Sequence, residues 1–448
     1  MNKKLIIPRQ IVTCDPDRNI FEEHIIEVWG NEIHSIRRYD EKFVQNFEGE
    51  VLNVNDLTVL PGFVQTHIHL CQTLFRGLAD DLELLDWLQL KIFPFENAHD
   101  KNSLRISARL GINELIAGGT TTILDMGTLN HQEVIFEELI SSGMCAIAGK
   151  CMMDINDLFP EFKGSTKAEI EESYKLAKEF HNHTNGKIKY GFAPRFVLSS
   201  SEKLLRETGE LVGDFEGSIY HTHSSENKDE ISEVRKRFNK ENIDYFNSLG
   251  VLGDHSVLAH CIHVSDNEIE TLKNKDVRVS HCPSSNLKLG SGIANIPRFI
   301  KEGISVSLGA DGAPCNNNLS IFEEMRLASL IQKPIHGASV MEAESILRMA
   351  TIEGAKALHL QDDIGSIEPG KKADLVFMDL NDPELPVSIS KEQVYSNIVY
   401  SASKKNIHSV MIDGDLVFSK GKSLKYNQGE LLSVAKTELN KLLKRAGK

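Results

Sequence analysis

His67 and His69 are the residues of this chain whose types and spacing point most directly to chemistry. They lie in the run LPGFVQTHIHLCQT, after an apolar and β-branched stretch that predicts a strand over residues 57–65. Side chains alternate along a strand with a period of two, so both imidazoles can reach one metal ion. The pair falls at the C-terminal end of the strand, where parallel α/β barrels build their active sites. By itself the pair is equally typical of structural histidines.

Polar side chains recur at the ends of later apolar runs. One run ends in HTHSSE, which contains His223 and Glu226, and three others end in His260, His281 and Asp311. Each alone is more typical of a structural histidine or a solvated carboxylate. Their recurrence at the same end of successive strands is difficult to attribute to packing, so the set predicts a metal site.

The types of donor atom limit which metal ion the site can bind and which reaction it can support. Neutral imidazoles with one carboxylate suit zinc, with ferrous iron as the alternative. A catalytic metal of this kind lowers the pKa of a bound water from ~16 to ~7. Hydrolysis then needs one group to accept the proton of the water and another to protonate the substrate. Asp311 can bind the metal and accept that proton, while Glu226, just past its strand, can donate one to a ring nitrogen.

An alternation of strand-like and helix-like segments between about residues 60 and 360 must position these side chains. Eight short apolar runs are separated by longer charged segments of helical period, which favours a closed (β/α)₈ TIM-type barrel over an open sheet. The longest insertion, FRGLADDLELLDWLQLKIFPFE, follows the first run and is long enough to cover the barrel mouth.

Both ends of the chain carry strand–turn–strand patterns, such as the predicted hairpin turn at Gly30 and Asn31. We therefore predict an α/β protein in three parts. Residues 1–58 and 360–427 form a small composite β-sandwich domain, residues 59–359 form the barrel, and residues 428–448 form a C-terminal helix.

Composition limits the class of protein. A chain of 448 residues accommodates one barrel and a small accessory domain. Its formal net charge of −14 argues against a nucleic-acid or anionic-membrane partner. The N-terminal apolar run is too short for a signal peptide, and no stretch approaches the ~20 apolar residues of a membrane span. Seven scattered cysteines suit a reducing compartment, so we expect a cytoplasmic protein.

These motifs resemble the amidohydrolase superfamily in its aminohydrolase branch. PGFVQTHIH is similar to the first-strand ligand pair of the family, HSSE to its HxxE, LAHCIH to its strand-six histidine and SLGADGAP to its strand-eight aspartate. The resemblance implies a divalent metal ion held by four residues: His67, His69, His223 and Asp311. It also implies that Glu226 is the proton shuttle and that His260 polarises or positions the attacking water.

The same resemblance implies one metal ion. Other members of the superfamily use two metals bridged by a modified lysine at the end of strand four. Here the fourth run ends in Ala193, Pro194, Arg195 and Phe196, and Lys150 lies well before the end of the third run. His221 has the wrong spacing to the HxxE glutamate for a ligand, and we expect it to be structural.

The substrate motifs are mixed. APRFVLSSSEKLL, HSSENKDEI and Gln72 resemble guanine deaminases, which implies that Gln72 and Arg195 bind the oxo/amide edge of a purine while Phe196 packs on the ring. In contrast, LFRGLADDLELLDWL and DGAPCNNNLS resemble triazine hydrolases and deaminases of 5′-methylthioadenosine, S-adenosylhomocysteine or 5′-deoxyadenosine. Glu96 matches a glutamate that holds ribose hydroxyls in nucleoside deaminases, but guanine deaminases also carry an acid there.

We expect hydrolytic deamination of guanine or a related oxopurine, because Ala193 stands where nucleoside deaminases usually have a histidine. Three alternatives remain: a deaminase of the 5′-modified adenosines, a triazine-type (chloro)hydrolase, and a non-catalytic nucleobase-binding barrel. Families that the chain resembles are commonly homodimers.

The substrate-binding residues also have structural alternatives. Arg195 could pair with a barrel carboxylate such as Asp154, Gln72 could cap a helix, and Phe196 could belong to the core. The stretch from His281 to Asn286 could touch substrate or only shape a loop, and Trp87 and Leu88 are expected to pack.

Overall fold

The computed structural model describes residues 2–387 and 390–448, so Met1, Ser388 and Ile389 of the predicted terminal domain lie outside the described residues. A parallel sheet of ten strand segments carries the eight predicted apolar runs. Its segments are Phe63–His69, Thr120–Asp125, Cys145–Ala148, Cys151–Met152, Ile188–Pro194, Ile219–Ser224, Ser256–His260, Arg278–His281, Val306–Leu308 and Asp311–Gly312.

Successive strands of this sheet pair in parallel, and its last segment, Asp311–Gly312, pairs with its first strand, Phe63–His69. The sheet therefore returns to its starting point, as a TIM-type barrel does, and the carboxyl ends of its strands lie on one rim. Gly309 allows the close approach of the last strand to the first, because a Cβ there would lie 2.8 Å from backbone atoms of His67.

Helices follow the parallel strands, and their apolar faces join the strands in the largest core cluster. The longer helices are Lys101–Ala117, Gln132–Ser142, Thr166–Phe180, Glu202–Val212, Lys228–Phe238, Asn242–Leu249, Asp266–Asn274 and Ile321–Leu330. The shorter ones are Glu41–Gln45, Pro283–Lys288, Ile296–Lys301, Ala313–Asn316, Lys333–His336, Ala343–Met349, Ile352–Ala357 and Gln393–Ser396. Side chains such as Asn227 and Ser265 cap the N-terminal N–H groups of the helices that follow them.

A nine-stranded sheet is built from both ends of the chain. Its strands are Lys3–Val12, Ile20–Glu22, His24–Trp29, Glu32–Arg38, Glu50–Pro61, Leu375–Met378, Ile407–Ile412, Asp415–Ser419 and Lys422–Ser423. The strand Glu50–Pro61 joins the two contributions, since it pairs in parallel with Lys3–Val12 and antiparallel with Leu375–Met378. Apolar side chains from both ends form a core cluster of their own.

The predicted strand over residues 57–65 is divided between the two sheets. Glu50–Pro61 belongs to the terminal sheet and Phe63–His69 to the parallel sheet. Gly62 lies at the junction, where a Cβ would come within 2.1 Å of the Thr121 hydroxyl. The apolar run continues through the junction because the strands are buried on both sides of it.

The insertion after the first parallel strand folds into a lid of short helical segments over the barrel rim. It begins with the 3₁₀ turn Leu70–Phe75 and continues through the α-helix Leu84–Trp87, the π-helical turn Leu88–Ile92 and the α-helix Phe93–Asn97. The C-terminal helix Gln428–Arg445 packs against Lys101–Ala117. Within residues 2–387 and 390–448, no helix combines the length and apolar character that crossing a bilayer requires.

Candidate active site

Four side chains predicted as metal ligands meet at the rim. One donor atom from each of His67, His69, His223 and Asp311 lies within 4.8 Å of the others. Asp311 Oδ1 is 3.3 Å from Nε2 of both His67 and His69. The buried Nε2 of His67 has no hydrogen-bond partner among the described residues, which fits a lone pair directed at a cation. Lys150 is buried against Glu169 and Glu172 and contributes no atom to this group.

The ligand histidines are oriented through their second ring nitrogens. His67 Nδ1 lies 2.9 Å from Nε2 of His221, and His223 Nδ1 donates to the carbonyl oxygen of Arg195 at 2.7 Å. Partners of this kind keep Nε2 available for a metal ion. His221 is therefore placed to orient His67, and it is not among the four candidate donors.

Burial and mutual charge set the protonation states of these groups. Burial lowers the pKa of His69 and of His223 well below the ordinary imidazole value. Burial raises the pKa of Asp311, but His67 and His69 outweigh it and hold that pKa well below the ordinary carboxyl value. Neutral imidazoles beside an ionised carboxylate are the states in which these groups bind a divalent cation.

Glu226 and His260 lie beside the four donors. His260 Nε2 is 3.5 Å from Glu226 Oε2 and 3.9 Å from Asp311 Oδ2. Burial, and then the charge of Asp311, raise the pKa of Glu226 well above the ordinary value. A carboxyl group with a raised pKa holds its proton more tightly, so Glu226 is suited to act as an acid while Asp311 is suited to stay ionised.

Unusual backbone conformations aim several of these side chains. His260 has φ of 73° and Asp311 has φ of 62°, both in the left-handed region that non-glycine residues seldom adopt. Ser225, immediately before Glu226, has φ of 54°. Such conformations concentrate at functional sites, where the surrounding structure maintains them.

The predicted substrate-binding residues form a buried network. Arg195 Nη1 and Nη2 donate to the two carboxylate oxygens of Glu96 at 2.7 and 3.2 Å, and Gln72 Nε2 donates to Glu96 Oε1 at 2.8 Å. Arg195 thus pairs with Glu96 rather than with Asp154, which accepts hydrogen bonds from Ser201 instead. Gln72 Oε1 is buried and has no partner among the described residues.

The lid closes over a cavity of about 30 Å³ beside the donors. Trp87 and Leu88, expected only to pack, line this cavity, and so does Phe196, which is also part of the apolar core of the lid. A space of this size admits water but no purine, because pockets for ligands of drug size measure roughly 300 Å³ or more.

Sequence reasoning missed Asp125, and it considered Ser285 and Asn286 only as substrate contacts or loop residues. Asp125 accepts the backbone N–H of Leu70 at 2.8 Å and thereby holds the turn that follows His69. Ser285 donates to Asp311, and Asn286 contacts His260. The position of Asp125 at the end of the run TTTILD, on the same rim as the other strand ends, could have identified it.

The amidohydrolase family model matches residues 58–417. A 5′-deoxyadenosine deaminase from Methanobrevibacter smithii is 38% identical over 394 residues, covering 88% of this chain and 88% of that protein. A 5-methylthioadenosine/S-adenosylhomocysteine deaminase from Bacillus cereus is 34% identical over 94% of each chain. The crystal structure of an adenosine deaminase from Xanthomonas campestris with bound zinc is 26% identical, with a TM-score of 0.91 over 99% of each chain.

The expectation of guanine or a related oxopurine is wrong. Relatives 34–38% identical over most of the chain are 5′-deoxyadenosine deaminases. The geometry gives a physical reason, because the guanidinium assigned to an oxo edge is already engaged by the carboxylate of Glu96.

The matching family and the donor set together identify a hydrolase of C–N bonds that uses a divalent metal ion, zinc. The match spans the parallel sheet and the C-terminal strands Leu375–Met378 and Ile407–Ile412 of the terminal sheet, and the HxH, HxxE and aspartate motifs meet at one site. The chain belongs to the amidohydrolase family.

Proposed function

We propose that this protein deaminates an adenosine nucleoside modified at its 5′ position, with 5′-deoxyadenosine, 5′-methylthioadenosine and S-adenosylhomocysteine as the candidates. The observation that carries the proposal is the meeting of four candidate metal donors beside Glu226, a carboxyl group of raised pKa, in a chain whose relatives are named as deaminases of such nucleosides. Its partner is a small molecule.

The proposal includes a complete (β/α)₈ barrel over residues 59–359. A composite β-sandwich of residues 1–58 and 360–427 and a separate helix over residues 428–448 complete the chain. The return of the parallel sheet to its first strand supports the barrel, and the separate apolar core of the terminal strands supports the sandwich.

In the proposed reaction, His67, His69, His223 and Asp311 hold the zinc ion. The metal, when bound, supplies Lewis acidity and a water of lowered pKa. Asp311 accepts the proton of the attacking water, whose oxygen forms a bond to C6 of the purine. Glu226 protonates N1 of the ring as that bond forms, a role that its raised pKa favours.

His260 orients the water and then the hydroxyl group that the water becomes in the tetrahedral adduct, because its Nε2 lies beside both carboxyl groups. The C6–N bond then breaks, the leaving amine takes the proton held by Asp311, and the hydroxyl group at C6 returns its proton to Glu226 as it becomes the carbonyl. Water and the aminopurine thus give ammonia and the corresponding hypoxanthine nucleoside, and no oxidant or reductant is required.

The substrate contacts follow from the buried network beside the metal donors. Arg195 neutralises Glu96, so the unpartnered Oε1 of Gln72 is the available acceptor for a donor group of the nucleoside. Phe196 and Trp87 offer apolar faces to the ring after the lid has moved.

The test is a substrate panel with the zinc-loaded protein. The panel holds 5′-deoxyadenosine, 5′-methylthioadenosine, S-adenosylhomocysteine, adenosine and guanine, with ammonia measured by a coupled dehydrogenase and ring conversion followed by ultraviolet absorbance. We expect at least one 5′-modified adenosine to be consumed fastest, with one ammonia per nucleoside. Protein stripped with a chelator is the control. Absence of ammonia from every 5′-modified adenosine would overturn the proposal.

A further inference from the structure

The short helix Pro283–Lys288 directs two consecutive side chains at Asp311 and His260. Ser285 Oγ donates to Asp311 Oδ2 at 2.6 Å. Asn286 Oδ1 accepts from Nδ1 of His260 at 2.8 Å. Both side chains are buried, with 0% and 1% of their surface exposed, so neither contact competes with solvent.

A second buried carboxylate fixes this helix relative to the loop after Asp311. Glu324 Oε2 accepts the backbone N–H of Ser284 at 3.1 Å, and Glu324 Oε1 accepts from Asn316 Nδ2 at 2.7 Å. Asn316 also donates to the carbonyl oxygen of Ala310, immediately before Asp311. The carboxylate of Glu324 therefore holds both the helix Pro283–Lys288 and the loop that carries Asp311. The contacts of Ser285 and Asn286 consequently have little freedom to change.

Asp311 and His260 each contact this helix through one of their two polar side-chain atoms. Asp311 uses Oδ2 for Ser285, while Oδ1 accepts the backbone N–H of Gly312 at 2.7 Å and faces Nε2 of His67 and His69. His260 uses Nδ1 for Asn286, while its buried Nε2 has no hydrogen-bond partner among the described residues. An amide oxygen can only accept, so it selects the tautomer with hydrogen on Nδ1 and leaves a lone pair on Nε2.

We propose that Ser285 and Asn286 are positioning residues of the reaction, a role that rests on the proposed deamination. Asn286 fixes the ring orientation and tautomer of His260, so that Nε2 accepts a hydrogen bond from the attacking water. Ser285 fixes the rotation of the Asp311 carboxylate, so that this carboxylate keeps one orientation toward the other metal donors and toward the attacking water. Neither residue touches the substrate.

The variants that test this role replace the side-chain amide of Asn286 with a carboxylate or with an apolar group. Asn286→Asp keeps an acceptor and cannot donate, whereas Asn286→Leu keeps the approximate volume and removes both functions. We expect Asn286→Leu to lower kcat by about 100-fold with KM little changed, and Asn286→Asp to recover most of that loss. Ser285→Ala should lower kcat by about tenfold. Leu287→Ala, on the exposed side of the same helix, is the matched control and should equal the parent enzyme.

All variants are compared at equal zinc content on the best substrate of the panel. Equal kcat in Asn286→Leu and the parent enzyme would overturn the proposal, as would an Asn286→Asp variant as slow as Asn286→Leu. Nitrogen-15 NMR of histidine-labelled, zinc-loaded parent enzyme provides a readout that needs no variant to fold. We expect the resonance pattern of an Nδ1–H tautomer for His260, and an Nε2–H pattern would contradict the inference. If the parent enzyme deaminates no panel member, the proposed function fails, while the NMR result still decides the tautomer.

Discussion

At the scale of single residues, the site depends on two carboxyl groups whose pKa values burial and neighbouring charges shift in opposite directions. The pKa of Glu226 lies well above the ordinary value, first because of burial and then because of Asp311. The pKa of Asp311 lies well below it because of His67 and His69. The two shifts favour a proton on Glu226 and an ionised Asp311, the pairing of acid and carboxylate that deamination requires.

The first prediction concerns the proton carried by Glu226. Glu226→Gln keeps the size of the side chain and its burial but cannot transfer a proton, so we expect kcat to fall by about 10²–10⁴-fold. Zinc content should stay near that of the parent enzyme, because Glu226 is not among the four donors. Ammonia release and elemental analysis measure the two quantities.

The matched control is Glu233→Gln on the helix Lys228–Phe238 that follows Glu226, whose carboxylate pairs with Arg237. It should leave turnover unchanged. Parental turnover in Glu226→Gln would contradict the proton-shuttle role, and loss of zinc from that variant would show that Glu226 supports the metal instead.

The metal donors could be predicted from the sequence because each follows an apolar run, and parallel strands bring their carboxyl ends to one rim. The partner of Arg195 could not be predicted in this way. Glu96 is 99 positions away in the lid, and no strand periodicity relates an insertion to the rim beneath it. The contacts of Ser285 and Asn286 depend on the path of a loop, which follows tertiary packing rather than a repeating pattern.

At the scale of elements, a buried ion pair fastens the lid to the barrel. Arg195 follows the strand Ile188–Pro194, while Glu96 belongs to the lid helix Phe93–Asn97, and both side chains are almost fully buried. The Arg195 guanidinium also lies over the ring of Phe93 at 5.1 Å. The pair therefore connects two elements that otherwise meet mainly through apolar contacts.

The second prediction removes one member of this pair. Arg195→Met leaves the Glu96 carboxylate buried without its cation, so we expect the free energy of unfolding to fall by about 3–5 kcal/mol. The double variant Arg195→Met/Glu96→Gln should recover a large part of that loss, because no uncompensated charge remains. Urea denaturation measures all three proteins. A double variant less stable than Arg195→Met would contradict this account of the pair.

The third prediction concerns movement of the lid. The cavity of about 30 Å³ cannot hold a nucleoside, so the segment Leu84–Ile92 must move for substrate to enter. We expect amide hydrogen exchange in this segment to be faster than in the barrel strands and to slow when a product nucleoside binds. Exchange as slow as in the strand Ser256–His260, with or without the nucleoside, would contradict lid opening.

At the scale of the whole molecule, the alternation of strands and helices was sufficient to predict a parallel sheet followed by helices, together with a second sheet made by both chain ends. The division of one apolar run at Gly62 was not predictable from pattern, because both strands are buried around the junction and hydropathy does not change there. Tertiary pairing alone assigns Glu50–Pro61 to one sheet and Phe63–His69 to the other.

Buried titratable groups outside the metal donors give the molecule a pH-dependent stability. Burial raises the pKa of Asp125, Glu230 and Glu324 to about 7. These groups bind protons more tightly in the folded chain, so their stabilising effect is present below their unfolded pKa and is lost as pH rises through 7. Burial lowers the pKa of His99 to about 4 and of His281 to about 3, which reduces stability as pH falls below about 6.5.

The fourth prediction concerns the pH dependence of stability, which the buried carboxyl groups and the buried histidines shift in opposite directions. Above pH 6.5 the histidines are mostly neutral in both states, and the carboxyl groups dominate. We expect the free energy of unfolding of the zinc-loaded enzyme to fall by on the order of 2 kcal/mol between pH 6.5 and 8. Urea denaturation at a series of pH values measures the slope, and Glu324→Gln, which removes one of the three groups, should make it shallower. A stability that rises over this interval would mean that these carboxyl groups are ionised in the folded protein.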